Sequence, residues 1–230
     1  MFTLLRVALL VYNREMILDT PASTFLEAFA NGLRFDLRIV VYLSIPCVLA
    51  LLSIKAMAYR GVLRFWLTAA SSLALFLGLM EMDFYREFHQ RLNGLVFQYV
   101  KEDPKTVMSM LWYGFPVVRY LLSWAVGTVI LYFAFRGADR VTRSSATRAA
   151  AGTSRAVAPW YGRAAVFVVL LLVCVVLARG TLRQGPPLRW GDAYTTDSNF
   201  ANQLGLNGSL SLIAAAKSRF GDDRTNIWKA

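Results

Sequence analysis

The stretch Glu81–Pro116, EMDFYREFHQRLNGLVFQYVKEDPKTVMSMLWYGFP, lies between two long apolar runs and decides how the chain is read. Glu81, Asp83, Arg86, Glu87, His89 and Arg91 follow directly on the run that ends at Met80, and the next run begins only after Pro104. A charged segment joined at both ends to apolar runs is a loop held at a membrane surface. Within it Phe84, Phe88, Leu92, Leu95, Val96 and Tyr99 recur at helical spacing, with Arg86, Glu87, Gln90, Asn93 and Gln98 opposite. This pattern predicts an amphipathic helix over about 83–100. Such a helix either lies in the interfacial plane, with aromatics among the acyl chains, or connects two spans and caps a helical bundle.

Composition agrees with the membrane reading. The chain has 230 residues, 57% of them hydrophobic, in apolar blocks separated by charged loops. The formal net charge of +11 does not point to nucleic acid, because the basic residues flank apolar runs, where anionic lipid and topology account for them. Cys47 and Cys174 each sit inside an apolar run and read as packing residues. Two isolated cysteines and one histidine give no metal-ligand spacing.

Outward from the central stretch, the sequence predicts an all-α membrane protein. Five transmembrane helices are expected over about 2–18, 37–54, 62–80, 113–135 and 164–178, forming a domain over 1–178. The first is short for a span and is interrupted by Arg6, and its true start is open. Pro46 and Pro116 are expected kinks. Residues 136–163, rich in Arg, Ala, Ser and Thr, read as a flexible loop, and 179–230 as an extracytoplasmic linker. A juxtamembrane helix is expected over about 199–219, capped by Asp197 or Ser198, followed by an unstructured end.

Charge sets the orientation. Lys55, Arg60 and Arg64 give +3 on one side, and six arginines against Asp139 give +5 over 136–163. Residues 14–38 carry three bases and four acids, and 81–105 four bases and five acids, so each is −1. The positive-inside rule then places the N-terminus in the cytoplasm and the Glu81–Pro116 segment and the tail outside. Arg179, Arg183 and Arg189 oppose this, and headgroup binding in the outer leaflet would account for them.

Ionisable groups near membrane depth pair or face a wet cavity. Asp36, Glu81 and Asp83 are candidates for structural ion pairing, with Arg–Asp cross-pairs expected between the ends of the second and third spans. Arg34, Arg38, Arg86, Arg91 and Arg119 are candidates for holding a lipid phosphate, because guanidinium presents paired donors to phosphate oxygens. Equally, they could snorkel or staple helices. Asp83 and Glu87 are one helical turn apart, without companion ligands, and His89 is alone. No Walker loop, GxSxG, HExxH or dinucleotide signature is present, and no catalytic or metal-ligating set emerges.

Three blocks carry a resemblance: NGLRFDLR (31–38) before a span with an internal proline; MDFYREFHQRLNGLVFQYVKEDPKTV (82–107) with LWYGFP (111–116); and LRWGDAYTTDSNFANQLGLNGSLSL (188–212). In this order and spacing, over about residues 20–216, the chain resembles the N-terminal membrane part of the lipoteichoic-acid-synthase-like phosphoglycerol transferases, membrane members of the sulfatase and alkaline-phosphatase superfamily. The resemblance implies a bacterial inner-membrane anchor of five helices. It implies an extracytoplasmic catalytic domain in cis that moves a headgroup from an anionic phospholipid donor onto an envelope glycan or glycolipid, using a metal-activated threonine. The divalent metal, Mn or Mg, belongs to that catalytic domain, and none of its residues can be assigned among these 230. A non-enzymatic membrane subunit serving transport or assembly is the alternative; its midplane polar residues are not evident here.

Overall fold

The computed structural model describes residues 1–17, 20–99, 101–152, 160–181 and 184–225. Among these the chain is all-helical. It comprises α1 (Phe2–Tyr12), α2 (Ala22–Ala50), α3 (Ile54–Ala58), α4 (Arg60–Phe88), α5 (Val96–Tyr99), α6 (Pro104–Gly114), α7 (Val117–Gly152), α8 (Trp160–Arg179), α9 (Asn199–Leu204) and α10 (Gly208–Thr225).

Among the described residues three helical stretches are long and apolar enough to cross a membrane: Arg60–Phe88, Val117–Arg143 and Trp160–Arg179. The other two expected spans differ from the reading. With 11 residues, α1 is roughly 16 Å long, against a hydrocarbon core of about 30 Å. Helix α2 is as long as α4, 29 residues each, but starts at Ala22 rather than 37 and carries Arg34, Asp36 and Arg38 along its length. Pro46 lies inside it.

The pair α4 and α7 forms the spine. Gly127 leaves room for the Leu75 side chain, which a Cβ at 127 would strike. Beside it Trp124 Nε1 donates to the Ser72 carbonyl and hydroxyl at 3.1 and 2.9 Å, and the Ser72 and Thr128 hydroxyls meet at 2.7 Å. Polar side chains inside a bilayer satisfy one another across helices in this way. At one end of the spine Asp139 gathers Arg60, Arg64 and Arg143 at 3.2, 3.6 and 3.3 Å. The opposite end carries the tail, packed on α1, α2 and α4.

The Glu81–Pro116 segment departs from the expected helix over 83–100. Helix α4 continues through Phe88 and stops at His89, whose φ of 51° is left-handed. Arg91 and Leu92 then turn inward, 5% and 2% exposed, so the apolar spacing bridges a break in the backbone. A regular helix resumes at α6, where Asp103 accepts from Thr106 N at 3.0 Å and Pro104 occupies the first turn. Phe115 is extended (φ −131°, ψ 152°), as a residue before proline prefers. Pro116 therefore separates two helices instead of kinking one.

Two further expectations are corrected. Residues 136–152 continue α7 as helix, because alanine and arginine are strong helix formers; 153–159 lie outside the described residues. The juxtamembrane helix is two helices broken at Gly205–Asn207. Ser198 caps α9, and α10 runs on to Thr225; residues 226–230 lie outside the description. The tail is no detached linker, since Ala201, Leu204 and Leu206 are essentially fully buried.

Candidate functional site

The break in the tail sits at the most polar buried point of the protein. Arg6 grips Asp36 with two bonds of 2.7 and 2.9 Å and donates from Nε to the Leu204 carbonyl at 2.8 Å. Arg91 grips Glu81 at 2.6 Å and donates to the carbonyls of Gln203, Leu204 and Leu206 at 2.8, 3.1 and 3.0 Å. All four charged residues are at most 5% exposed. Asn207 completes the knot. Its Nδ2 donates to Asp36 at 2.8 Å, while its Oδ1 accepts from Ser209 N at 3.0 Å at the start of α10.

The reason lies in the end of α9. The last carbonyls of a helix have no partner within it and carry the negative end of the dipole. Two guanidinium groups satisfy them, and two carboxylates neutralise the guanidinium groups. Gly32 and Gly208 make the space: a Cβ would strike the Arg6 guanidinium at the first and the Glu81 carboxylate at the second. A cavity of about 20 Å³ beside the knot has room for one water. Donors and acceptors here are matched to one another, so the knot positions the tail.

The expected cross-pairing between α2 and α4 is therefore corrected. Each carboxylate takes an arginine from a third segment, and the two pairs meet through the Leu204 and Leu206 carbonyls. Asp83 has no arginine partner among the described residues. The hydroxyls of Tyr12 and Tyr120 each donate to one of its oxygens at 2.5 Å. Tyr120→Phe would leave one oxygen of this 8%-exposed carboxylate without its donor, at a cost of about 1–3 kcal/mol. Thermal unfolding in detergent should show it as a lowered midpoint, and an unchanged midpoint would contradict the assignment.

The five arginines expected at a lipid phosphate do not converge. Arg91 is used up in the knot. Arg38 donates to the Leu188 carbonyl at 2.9 Å and to Tyr42 at 3.0 Å, tying the tail to α2. Arg86 is exposed and lies over the Tyr12 ring at 5.9 Å. Arg119 is exposed on α7. Of the five, Arg34 alone opens into a large cleft, its one hydrogen bond among the described residues a long one of 3.5 Å to Asn31.

That cleft, of about 1110 Å³, is the candidate site. One wall is the α2 face of Glu27, Asn31, Arg34 and Leu37; another is the end of α8, with Val176 and Leu177; the tail around Arg189 closes it. Gly180, at φ 71°, turns the chain out of α8, and the Leu188 side chain packs where a Cβ would stand. Leu188 N then bonds back to the Arg179 carbonyl at 2.9 Å. Thr195, which the sequence suggests is mere linker, accepts from Asn31 Nδ2 at 3.2 Å on the same rim. Arg183, noted for its charge, lies outside the described residues.

Sequence reasoning missed Arg6, Gln203 and Asn207 as members of the knot and Glu27 as a lining residue. A lone arginine inside an apolar run was the available signal for Arg6, since such a charge requires a partner. Among the described residues no group of three or more His, Cys, Asp or Glu is placed to hold a metal ion. No protein-family model matches the chain, and no solved structure gives a significant match.

Proposed function

We propose that this chain is the membrane-anchoring and lipid-presenting part of a phospholipid headgroup transferase of the lipoteichoic-acid-synthase-like, phosphoglycerol-transferring type. In this reading five helices sit in a bacterial inner membrane, the Asp139 end faces the cytoplasm, and the cleft opens outward. A sulfatase-type domain in cis performs the transfer. The observation that carries the reading is the cleft itself. It combines a little-engaged guanidinium at Arg34, apolar lower walls at Leu37, Val176 and Leu177, and a volume of about 1110 Å³. Guanidinium above an apolar slot is what a phosphate above acyl chains requires.

The purified chain is expected to retain about one phospholipid in native mass spectrometry, and Ala30→Trp, which fills the cleft from α2, should remove it. Equal retention by both proteins would overturn lipid presentation. A cysteine at position 90 should react with an impermeant reagent on spheroplasts; labelling only after lysis would overturn the orientation.

A further inference from the structure

The end of the spine away from the knot has more guanidinium than it has acceptors. Arg60 Nε lies 3.2 Å from Asp139 Oδ1, while Arg64 Nη1 and Arg143 Nε share Oδ2 at 3.6 and 3.3 Å. Arg136 Nη1 donates to the Tyr132 hydroxyl at 3.4 Å, and Arg64 lies over the same ring. We propose that this cluster binds the phosphate of a net-negative phospholipid, with Asp139 as the residue that positions the guanidinium groups. The site lies at the other end of the helices from the cleft and goes beyond the lipid-presenting reading. It requires only that α4 and α7 cross a membrane.

Helix geometry brings the groups together. Tyr132, Arg136, Asp139 and Arg143 recur at i, i+4, i+7 and i+11 along α7, so they share a face. Arg60 and Arg64 are one turn apart on α4, and Arg60 Nη2 donates across to Thr142 Oγ1 at 3.1 Å. From Val117 to Arg136 α7 rises roughly 28 Å, close to the thickness of the hydrocarbon core. Arg60 and Arg64 stand where the apolar stretch of α4 begins. The cluster is therefore at headgroup level, where lipid phosphates are the acceptors at hand.

The contrast with the knot is one of supply. There two guanidinium groups meet two carboxylates and the last carbonyls of α9. Here four arginines stand around one carboxylate, 14% exposed, which leaves a net +3. Neither segment holds an acid that could reverse that sign. Asp139 is the only acid between Asp103 and Asp192, and there is none between Asp36 and Glu81. Arg64 at 3.6 Å is beyond hydrogen-bond reach of Asp139. Its Nε and Nη2, and Nη1 of Arg60, have no bonded acceptor among the described residues. Guanidinium presents paired donors that match phosphate oxygens, so a phosphate meets the donors that Asp139 leaves over.

The arginines are partly exposed, so the bound lipid exchanges, and the lipid kept through purification is the one in the cleft. The test therefore adds phosphatidylglycerol and phosphatidylcholine, in equal amounts with matched acyl chains, to the purified full chain in detergent. Bound lipid is read by native mass spectrometry. Phosphatidylglycerol should be preferred about tenfold, the factor expected of two to three partly exposed ion pairs. Ala30→Trp should leave that preference in place; its loss would put the lipid in the cleft and overturn the proposal. Arg64→Gln should cut the preference about threefold. Arg119→Gln, which removes the same charge at the far end of α7, should not. Equal loss in both would reduce the effect to overall charge and overturn the site. Asp139→Asn makes the chain more positive yet should also weaken the preference, because the arginines lose the group that gathers them. A stronger preference would overturn the role given to Asp139. Water-soluble glycerol phosphate at equal concentration should not displace the lipid; displacement would make this a site for free phosphate and overturn the lipid assignment.

Discussion

Arg91→Ala should detach the tail from the helices. Arg91 is 5% exposed and serves Glu81 and three carbonyls at once. Without it, Glu81 keeps only a long contact from Leu92 N at 3.4 Å, a buried carboxylate with no countercharge. Removing one partner of a buried pair costs about 3–5 kcal/mol, which for a chain of this size lowers the unfolding midpoint on the order of 10 °C. Arg6 still holds the Leu204 carbonyl, so the tail should loosen before the helices separate. Trypsin should therefore cut at Lys217 and Arg219 in the variant under conditions where the wild type resists. Arg91→Lys should fall between the two, because an ammonium keeps the charge but lacks the fork that reaches several acceptors. Adding Glu81→Gln to Arg91→Ala should cost less than the two single changes summed. A variant that melts with the wild type and keeps its tail protected would refute the role given to the knot.

The three long apolar stretches could be read from sequence because hydrophobic length is a local property, visible without knowing any neighbour. Most of what holds the tail against the helices is non-local. Arg6 and Asp36 are 30 residues apart, and Arg91 meets Leu206 across 115; no spacing rule reports such partners. The amphipathic reading of 83–100 failed for a related reason. Leu92 keeps helical register with Phe84 and Phe88 in the sequence, but it is buried by a chain reversal at His89, a residue with no sequence mark for a left-handed conformation. In the tail, the glycines in NQLGLNG were compatible with one weak helix or two. The break is decided by Arg6 and Arg91, which make an early C-terminus at Leu204 favourable. Arg34 was legible as a candidate because it stands at the edge of an apolar run. That it opens into a cleft while Arg38 and Arg91 do not depends on where the tail lies.

The second large effect concerns α2, and it separates charge from contact. Arg34 and Arg38 are long enough to carry their charge toward the cleft and the tail. Asp36 is too short to do so, and its side chain is 6% exposed. Arg6→Ala would leave it with the Asn207 amide at 2.8 Å as its neutral partner. A buried carboxylate without a countercharge is among the costliest groups a helix can hold, so the yield of folded, detergent-extractable protein should fall severalfold. Gly32→Ala should act in the same direction without touching either charge, since its methyl group would occupy the place of the Arg6 guanidinium. The deciding variant is Arg6→Ala with Asp36→Ala. It loses every contact the single change loses, including the bond to the Leu204 carbonyl, yet it removes the stranded charge. If α1 serves chiefly to neutralise Asp36, the double variant should recover part of the lost yield and melt above Arg6→Ala. If the Leu204 contact and packing of α1 matter more, the double variant should be no better than Arg6→Ala. That outcome would mean α2 tolerates Asp36 without its arginine.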